Sequence, residues 1–342
     1  MTDVIAPARL SRESLGDADA VVPPVRIVHL GLGAFHRAHQ AWYTARATDA
    51  ADWGIAAFTG RNGDLVERLA PQDGLYTLLE RSPSGDSVEI VSSTASVAPG
   101  DDVHTFVEAL ADPRVAILTL TITEAGYRLA ADGGLDRHDE LVREDIRLLR
   151  GGMNAATAPA TALGRIPVGL DARRRAGAPA LALVPCDNIP ENGRMLAEAL
   201  HTFAQLVEPA LATWLTDGVS VVSTSVDRIT PRVATAELAD LGSVTGWIDA
   251  APVVTEPFSD WVLSGEFPSG RPDWAAAGAR FVDEVAPWGN RKLWLQNGAH
   301  TLAALLGGLP GHSLVAEAID DRLVRDAVDR LWDEDVCHLP DL

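Results

Sequence analysis

The sequence predicts an α/β fold: a mostly parallel sheet covered by helices on both faces, followed by a purely helical C-terminal part. Two observations predict it. Apolar runs of four to eight residues, bounded by turn residues and separated by longer helical patterns, recur through roughly the first 260 positions, which is how strands buried on both faces read. Past Pro287 the strand-like runs cease and only helical periodicity remains.

The predicted strands, in order, are Val25 to Leu30, Ile55 to Phe58, Val115 to Thr123, Ala180 to Val184 and Val219 to Ser223, with a further piece at Val253 and Val254. Three of them end in polar residues: Thr123 and Glu124, then Cys186, Asp187 and Asn188, then Asp227 and Arg228. In an open parallel sheet these ends line one crevice, where ligands bind. Helical patterns such as Gln40 to Thr48 and Gly193 to Leu206 carry apolar residues three and four apart and can cover the sheet. Ser264 to Pro272 reads as a surface turn, and the stretch from Ala131 to Ala160 has no assignable pattern. Helices are expected over Lys292 to Leu306 and Ser313 to Asp335, split by the breaker GGLPGH.

The chain has 342 residues, 47% of them hydrophobic, enough for more than one core. With 48 acidic and 28 basic residues its formal charge is −20 and no basic cluster stands out, which argues against nucleic acid as a partner. Neither a signal peptide nor a bilayer-spanning run is legible, so a soluble cytoplasmic protein without a membrane partner is expected. The two cysteines, Cys186 and Cys337, lack zinc-site spacing, and no metal is expected.

Gly31 and Gly33 follow the first strand directly in LGLGAFHRAHQ and precede a helix, so backbone N–H groups from Gly31 through Ala34 and Phe35 could approach a pyrophosphate. The usual third glycine is His36, and two glycines alone describe an ordinary tight turn almost as well. His36, Arg37 and His39 are either phosphate donors or solvated helix-start residues. After the second strand, Arg61 stands nearer the ribose-binding position than any acid, with Asp64 displaced into the loop. Arg61 could meet a 2′-phosphate, so NADP is left open beside NAD. Thr123 and Glu124 are further candidates for the nicotinamide or ribose, with Tyr127 more simply a packed aromatic. Asp227 and Arg228 read as a structural ion network. Ser223 and Ser225 have no nucleophile-elbow context. The scattered tryptophans read as packing residues.

In RKLWLQNGAHTLAALLG, Lys292, Asn297 and His300 fall on an otherwise apolar helical pattern, with Asn297 and His300 on one face and Lys292 one to two turns back. A lysine, an amide and an imidazole converging on a cleft would suit proton transfer and carbonyl polarisation. A solvated lysine, a helix-internal asparagine and a satisfied histidine fit the spacing alone slightly better.

LGLGAFHRAHQ, TITEAGY, PCDNIPENG, SVDRITP, EPFSDWV, GRPDW and KLWLQNGAH occur in this order. Together they resemble the mannitol dehydrogenase and fructuronate reductase family of polyol-specific long-chain dehydrogenases. The resemblance implies an N-terminal extension over 1–24, an extended Rossmann-type dinucleotide-binding domain over 25–286, and the start of a helical substrate-binding domain over 287–342. It implies hydride transfer between NAD and a polyol, ketose or uronate. Lys292 would be the general base, Asn188 and Asn297 would hold the substrate oxygen, and His300 would position a neighbouring hydroxyl. Lysine, ordinarily near about 10.4, serves as such a base only in a dry, charged setting that lowers it.

Two departures from the pattern stand out. The family glutamate three residues before the lysine is Gly289 here, and the DGSQK-like segment of the family's further helical block does not occur before Leu342. The C-terminal domain is therefore expected to be incomplete, with exposed apolar helix faces. The alternative to an active dehydrogenase is a truncated, impaired relative that holds dinucleotide without turnover.

Overall fold

A computed structural model describes residues 8–15, 21–60, 63–154, 156–231, 245–336 and 338–339. The chain divides into two compact units, Met1–Phe281 and Val282–Leu342.

The first unit is built on six strands: β1 (Val25–Leu32), β2 (Gly54–Thr59), β3 (Thr94–Ala98), β4 (Ile117–Leu120), β5 (Leu181–Pro185) and β6 (Val219–Val221). They form one sheet in the order β3-β2-β1-β4-β5-β6, with every neighbouring pair parallel. This is the doubly wound dinucleotide-fold order. The direction of winding reverses between β1 and β4, which opens a crevice at their carboxyl ends. Every residue of β2, β4 and β5 is buried, the condition that produces unbroken apolar runs in the sequence.

Alternation along the strands divides the core. Val28, Leu30, Ala56 and Phe58 face one cluster with Phe106 and Phe203 from α3 (Val103–Ala111) and α5 (Asn192–Val207). Ile27, Ile55 and Ala57 face the other, with Trp42, Tyr43, Trp261 and Trp274. Leu32 joins the second cluster although Leu30 is in the first, because the pairing register shifts between them at Gly31. Between α3 and α4 (Ala162–Ala176), Gly169 leaves room for Leu110, whose Cδ1 would stand 2.4 Å from an added Cβ.

Three differences from the sequence reading have physical causes. The edge strand β3 was not anticipated: its sequence, TASVA, has no apolar run because it is only partly covered. Val253–Thr255 belongs to a separate sheet, pairing with Tyr76–Glu80, which pairs in turn with Ser87–Val91. The expected strand from Val219 to Ser223 is divided at Val222, and Ser223–Arg228 (β7) instead pairs antiparallel with Ser259–Ser264 (β8). Upstream of β1, Ala8–Arg9 pairs with Trp247–Ile248, and the buried Arg12 guanidinium donates to the carbonyls of Val21, Ser92 and Thr94 at 2.9, 2.8 and 3.1 Å.

The second unit contains α6 (Ala286–Arg291), a π-helical segment Lys292–Asn297, α7 (Gly298–Gly308), α8 (Val315–Asp320) and α9 (Arg322–Val336). Its core is small: Ala299, Ala303, Ala318, Val324 and Val328. Leu305, Leu309, Leu314, Val315 and Leu323 are more than half exposed, in keeping with the expected apolar faces. Among the described residues no helix is long and apolar enough to cross a membrane.

Candidate active site

The glycine turn lies at the carboxyl end of β1, where the winding reverses. Gly31 has φ +116°, and an added Cβ would sit 2.0 Å from the carbonyl oxygen of Thr121, just beyond β4. Only glycine fits there. Gly33 differs: its φ of −149° is ordinary extended backbone, and an added Cβ would come no nearer than 3.6 Å to another atom, the Gly31 carbonyl oxygen. Nothing within the described chain requires glycine at 33. Gly33, exposed Ala34 and half-buried Phe35 open α1 (Ala34–Ala38), which α2 (Gln40–Ala45) follows, so the first backbone N–H groups of α1 face the crevice end of the sheet.

His36 and Arg37, read from sequence as phosphate donors or solvated residues, are neither solvated nor exposed. The Arg37 guanidinium donates to the Gly33 carbonyl oxygen at 3.2 Å and to the Ala251 carbonyl, bracing the turn from behind. The His36 ring stacks on His29 with centroids 3.4 Å apart, and neither of its nitrogens has a hydrogen-bond partner among the described residues. Burial, reinforced by His29 and Arg37, pushes His36 well below the usual histidine range. Burial takes His29 down to about 3.

Hydrogen-bond accounting fixes the His29 tautomer. The Thr121 hydroxyl donates to the Gly31 carbonyl oxygen at 2.8 Å and must therefore accept from His29 Nε2 at 3.1 Å. His29 Nδ1 then accepts from the Thr119 hydroxyl at 2.8 Å. A neutral imidazole thus ties β1 to β4 directly beneath the glycine turn.

The next turn along the crevice is held by Asp187. Its Oδ1 accepts from the Thr123 N–H at 2.8 Å, and its Oδ2 accepts from the Ile122 N–H at 3.1 Å and from the Tyr127 hydroxyl at 2.7 Å. Thr123 has φ 65° and ψ 161°, a region almost reserved for glycine and costing about 1 to 3 kcal/mol. Burial raises the Asp187 carboxyl, and the hydrogen bonds from Tyr127, Ile122 and Thr123 oppose that rise. Burial beside this carboxylate raises the Tyr127 hydroxyl as well. Thr123, Glu124 and Asn188 are exposed at the ends of neighbouring strands β4 and β5. At the end of β2, the Thr59 hydroxyl accepts from the Gly100 N–H at 3.0 Å. Arg61 lies outside the described residues.

Other candidates take structural positions. Arg228 donates to Glu80, the Thr255 hydroxyl and the Ala38 carbonyl, at 3.2, 2.9 and 2.7 Å. This is the expected ion network, although its acid is Glu80. Asp227 is buried, and its Oδ2 has no hydrogen-bond partner among the described residues.

In the second unit, Lys292 opens the π-helical segment and Asn297 closes it. In an α-helix five residues turn about 500°, which leaves the two positions about 140° apart. The i to i+5 repeat of a π-helix instead stacks position 297 on position 292. Lys292 and Asn297 are half-buried and His300 is exposed, in the first turn of α7.

Sequence reasoning missed His29, Thr121, Asp187 and Asn192 as organising residues. Only Asp187 carried a signal, as a polar residue at a strand end. The contacts of His29 with Thr119 and Thr121, and of Asn192 with Thr224, join positions too far apart in the chain for spacing to suggest them.

Comparison with known proteins accords with this architecture. The mannitol dehydrogenase Rossmann domain model matches residues 25–276, and the mannitol dehydrogenase C-terminal domain model matches residues 284–341. D-mannonate oxidoreductase of Escherichia coli (strain K12) is 38% identical over 311 residues, covering 88% of this chain and 62% of its own length. Polyol:NADP oxidoreductase of Gluconobacter oxydans (strain 621H) is 33% identical over 329 residues, covering 94% of this chain and 66% of its own. The Pseudomonas fluorescens mannitol 2-dehydrogenase ternary complex with NAD and D-mannitol superposes with a TM-score of 0.85 at 34% identity, covering 99% of this chain and 68% of that one. The chain thus spans roughly two thirds of each of these relatives, and with both family domains matched it belongs to the mannitol dehydrogenase family.

Proposed function

We propose that the chain is a cytoplasmic nicotinamide-dependent oxidoreductase acting on a secondary alcohol of a polyol or hexuronate, of the mannitol/fructose or mannonate/fructuronate type. Residues 25–286 form its dinucleotide domain and residues 287–342 belong to its substrate domain. The observation that supports the reading best is the π-helical register that brings positions 292 and 297 to one side of a helix, as a base at Lys292 working beside an amide donor at Asn297 would need.

The glycine turn suits a dinucleotide: Gly33 has no internal need to be glycine, so the space it leaves suits a close-approaching pyrophosphate. Gly31, Ala34, Phe35 and His36 contribute backbone there, Arg37 braces the turn, and Thr123 and Glu124 border the nicotinamide end. A bound nicotinamide supplies the hydride acceptor in oxidation and the donor in reduction. The chain does the proton chemistry. In the second unit Lys292 takes the hydroxyl proton at Nζ, the Asn297 amide donates to the oxygen as negative charge develops on it, and His300 orients a neighbouring hydroxyl; in the first unit the Asn188 amide is the candidate for a further oxygen-holding donor.

NAD is the preferred dinucleotide. The Pseudomonas fluorescens complex contains NAD, and the relative named for NADP leaves Arg61 as the residue to test. Tryptophan-fluorescence titration with NAD⁺ and NADP⁺, followed by rates on mannitol, other hexitols and pentitols, and mannonate, tests the reading. Tight NAD⁺ binding with turnover of at least one of these substrates is expected. Binding without turnover across the panel reduces the chain to a dinucleotide-binding relative.

A further inference from the structure

We propose that Asp187 is a positioning residue that locks the Thr123 turn and the Asn188 turn into one rigid unit, so that the Asn188 amide is held in place by a carboxylate rather than by its own contacts alone. The inference rests on the reading of Asn188 as an oxygen-holding donor.

Three observations carry it. The Asp187 carboxylate accepts from two consecutive backbone N–H groups, Ile122 and Thr123, and from the Tyr127 hydroxyl, which fixes a loop that otherwise sits in an unfavourable conformation. Such a conformation persists only where its surroundings over-determine it. The Asp187 carbonyl oxygen in turn accepts from the Ile189 N–H at 2.8 Å and from the buried Asn192 amide at 3.1 Å. That same amide reaches the Thr224 carbonyl at 3.0 Å, and its oxygen accepts from the Thr224 N–H at 2.9 Å. Asn188 therefore follows a residue whose side chain is anchored beyond β4 and whose backbone is anchored through α5 to β7. Exposed itself, it presents an amide from a backbone with little freedom, the arrangement that an oxygen-holding donor needs.

Asp187→Asn tests this while preserving shape. Both carboxylate oxygens accept from backbone N–H groups, so either orientation of the new amide sets an NH₂ against one of them. Tyr127→Phe is the milder variant, removing one hydrogen bond to the same carboxylate. Hydrogen exchange followed by mass spectrometry reads the coupling without requiring turnover. In Asp187→Asn, peptides covering 120–128 and 185–192 are expected to exchange together at least about tenfold faster, with β1 and β2 unchanged as the check on folding. Tyr127→Phe should produce a smaller change in the same two segments.

In kinetics, Asp187→Asn should lower kcat about thirtyfold or more with KM within about threefold, and Asn188→Ala about 100-fold or more. The double variant should be no slower than Asn188→Ala within about threefold, because one residue acts through the other. Exchange confined to one segment, or effects on kcat that multiply, overturns the proposal. Failure of the underlying reading looks different: Asn188→Ala then turns over normally while the two segments still loosen together.

Discussion

The Thr121 hydroxyl donates to the Gly31 carbonyl oxygen at 2.8 Å, while the Thr121 carbonyl oxygen lies 2.0 Å from where a Gly31 Cβ would be. The first strand and its neighbour across the winding reversal are therefore closed on each other at the glycine turn. The two glycines of this turn have different reasons to be glycine.

That difference is measurable. Gly31→Ala forces a methyl into backbone at a positive φ and should cost at least about 1 to 3 kcal/mol of stability in urea denaturation. Gly33→Ala should stay within about 0.5 kcal/mol of the parent. Its NAD⁺ affinity, read by fluorescence titration, should nonetheless fall about tenfold or more if, as proposed, a pyrophosphate approaches the backbone there.

The buried imidazoles beneath the turn predict an acid-side loss of stability. His29 is held at about 3 in the fold and His36 is likewise depressed, whereas both titrate near 6.5 when unfolded. Below 6.5 the unfolded chain binds the extra protons, so the contribution is fully present above that pH and is lost as pH falls, by about 1.4 kcal/mol per unit for each histidine. Denaturation of the parent and of His29→Gln between pH 7 and 5 checks this. The stability advantage of the parent over the variant should shrink by about 1.4 kcal/mol per pH unit below 6.5.

Asn297→Ala should raise the barrier by about 2.7 to 4 kcal/mol while leaving NAD⁺ affinity within about threefold, as expected of a donor whose work is done in the transition state. Steady-state kinetics with the best substrate of the panel, beside dinucleotide titration, measures both.

The exposed leucines of the second unit give a stability prediction of the opposite kind. Leu309 is 81% exposed and Leu323 66%, so Leu309→Lys with Leu323→Lys should change stability by less than about 1 kcal/mol. Binding of an apolar fluorescent dye should drop measurably in the double variant.

Much of this was legible in the sequence for a definite reason. Strands buried on both faces cannot hide their apolar runs, so β1, β2, β4 and β5 were visible, and the polar residues after them marked the crevice. The edge strand β3 was not visible, because partial cover imposes no apolar run. LGLGAFHRAHQ located the turn, yet it gave no hint that His36 and Arg37 point their chemistry inward, since burial of a polar side chain depends on how the fold packs it, against the His29 ring for His36 and against the Ala251 carbonyl, 214 residues on, for Arg37. The π-helical register was equally hidden: KLWLQN satisfies a helical pattern at either period. The strained backbone at Thr123 carries no glycine to announce it, and its restraint comes from a carboxylate 64 residues on.

In the proposed function Lys292 performs the proton transfer. Parallel measurement of NAD⁺ affinity and of polyol or hexuronate oxidation in the parent and in Lys292→Ala tests it most directly. Dinucleotide affinity within about threefold of the parent and turnover reduced by at least about 1,000-fold are expected in the variant. Near-parental turnover in Lys292→Ala would contradict it.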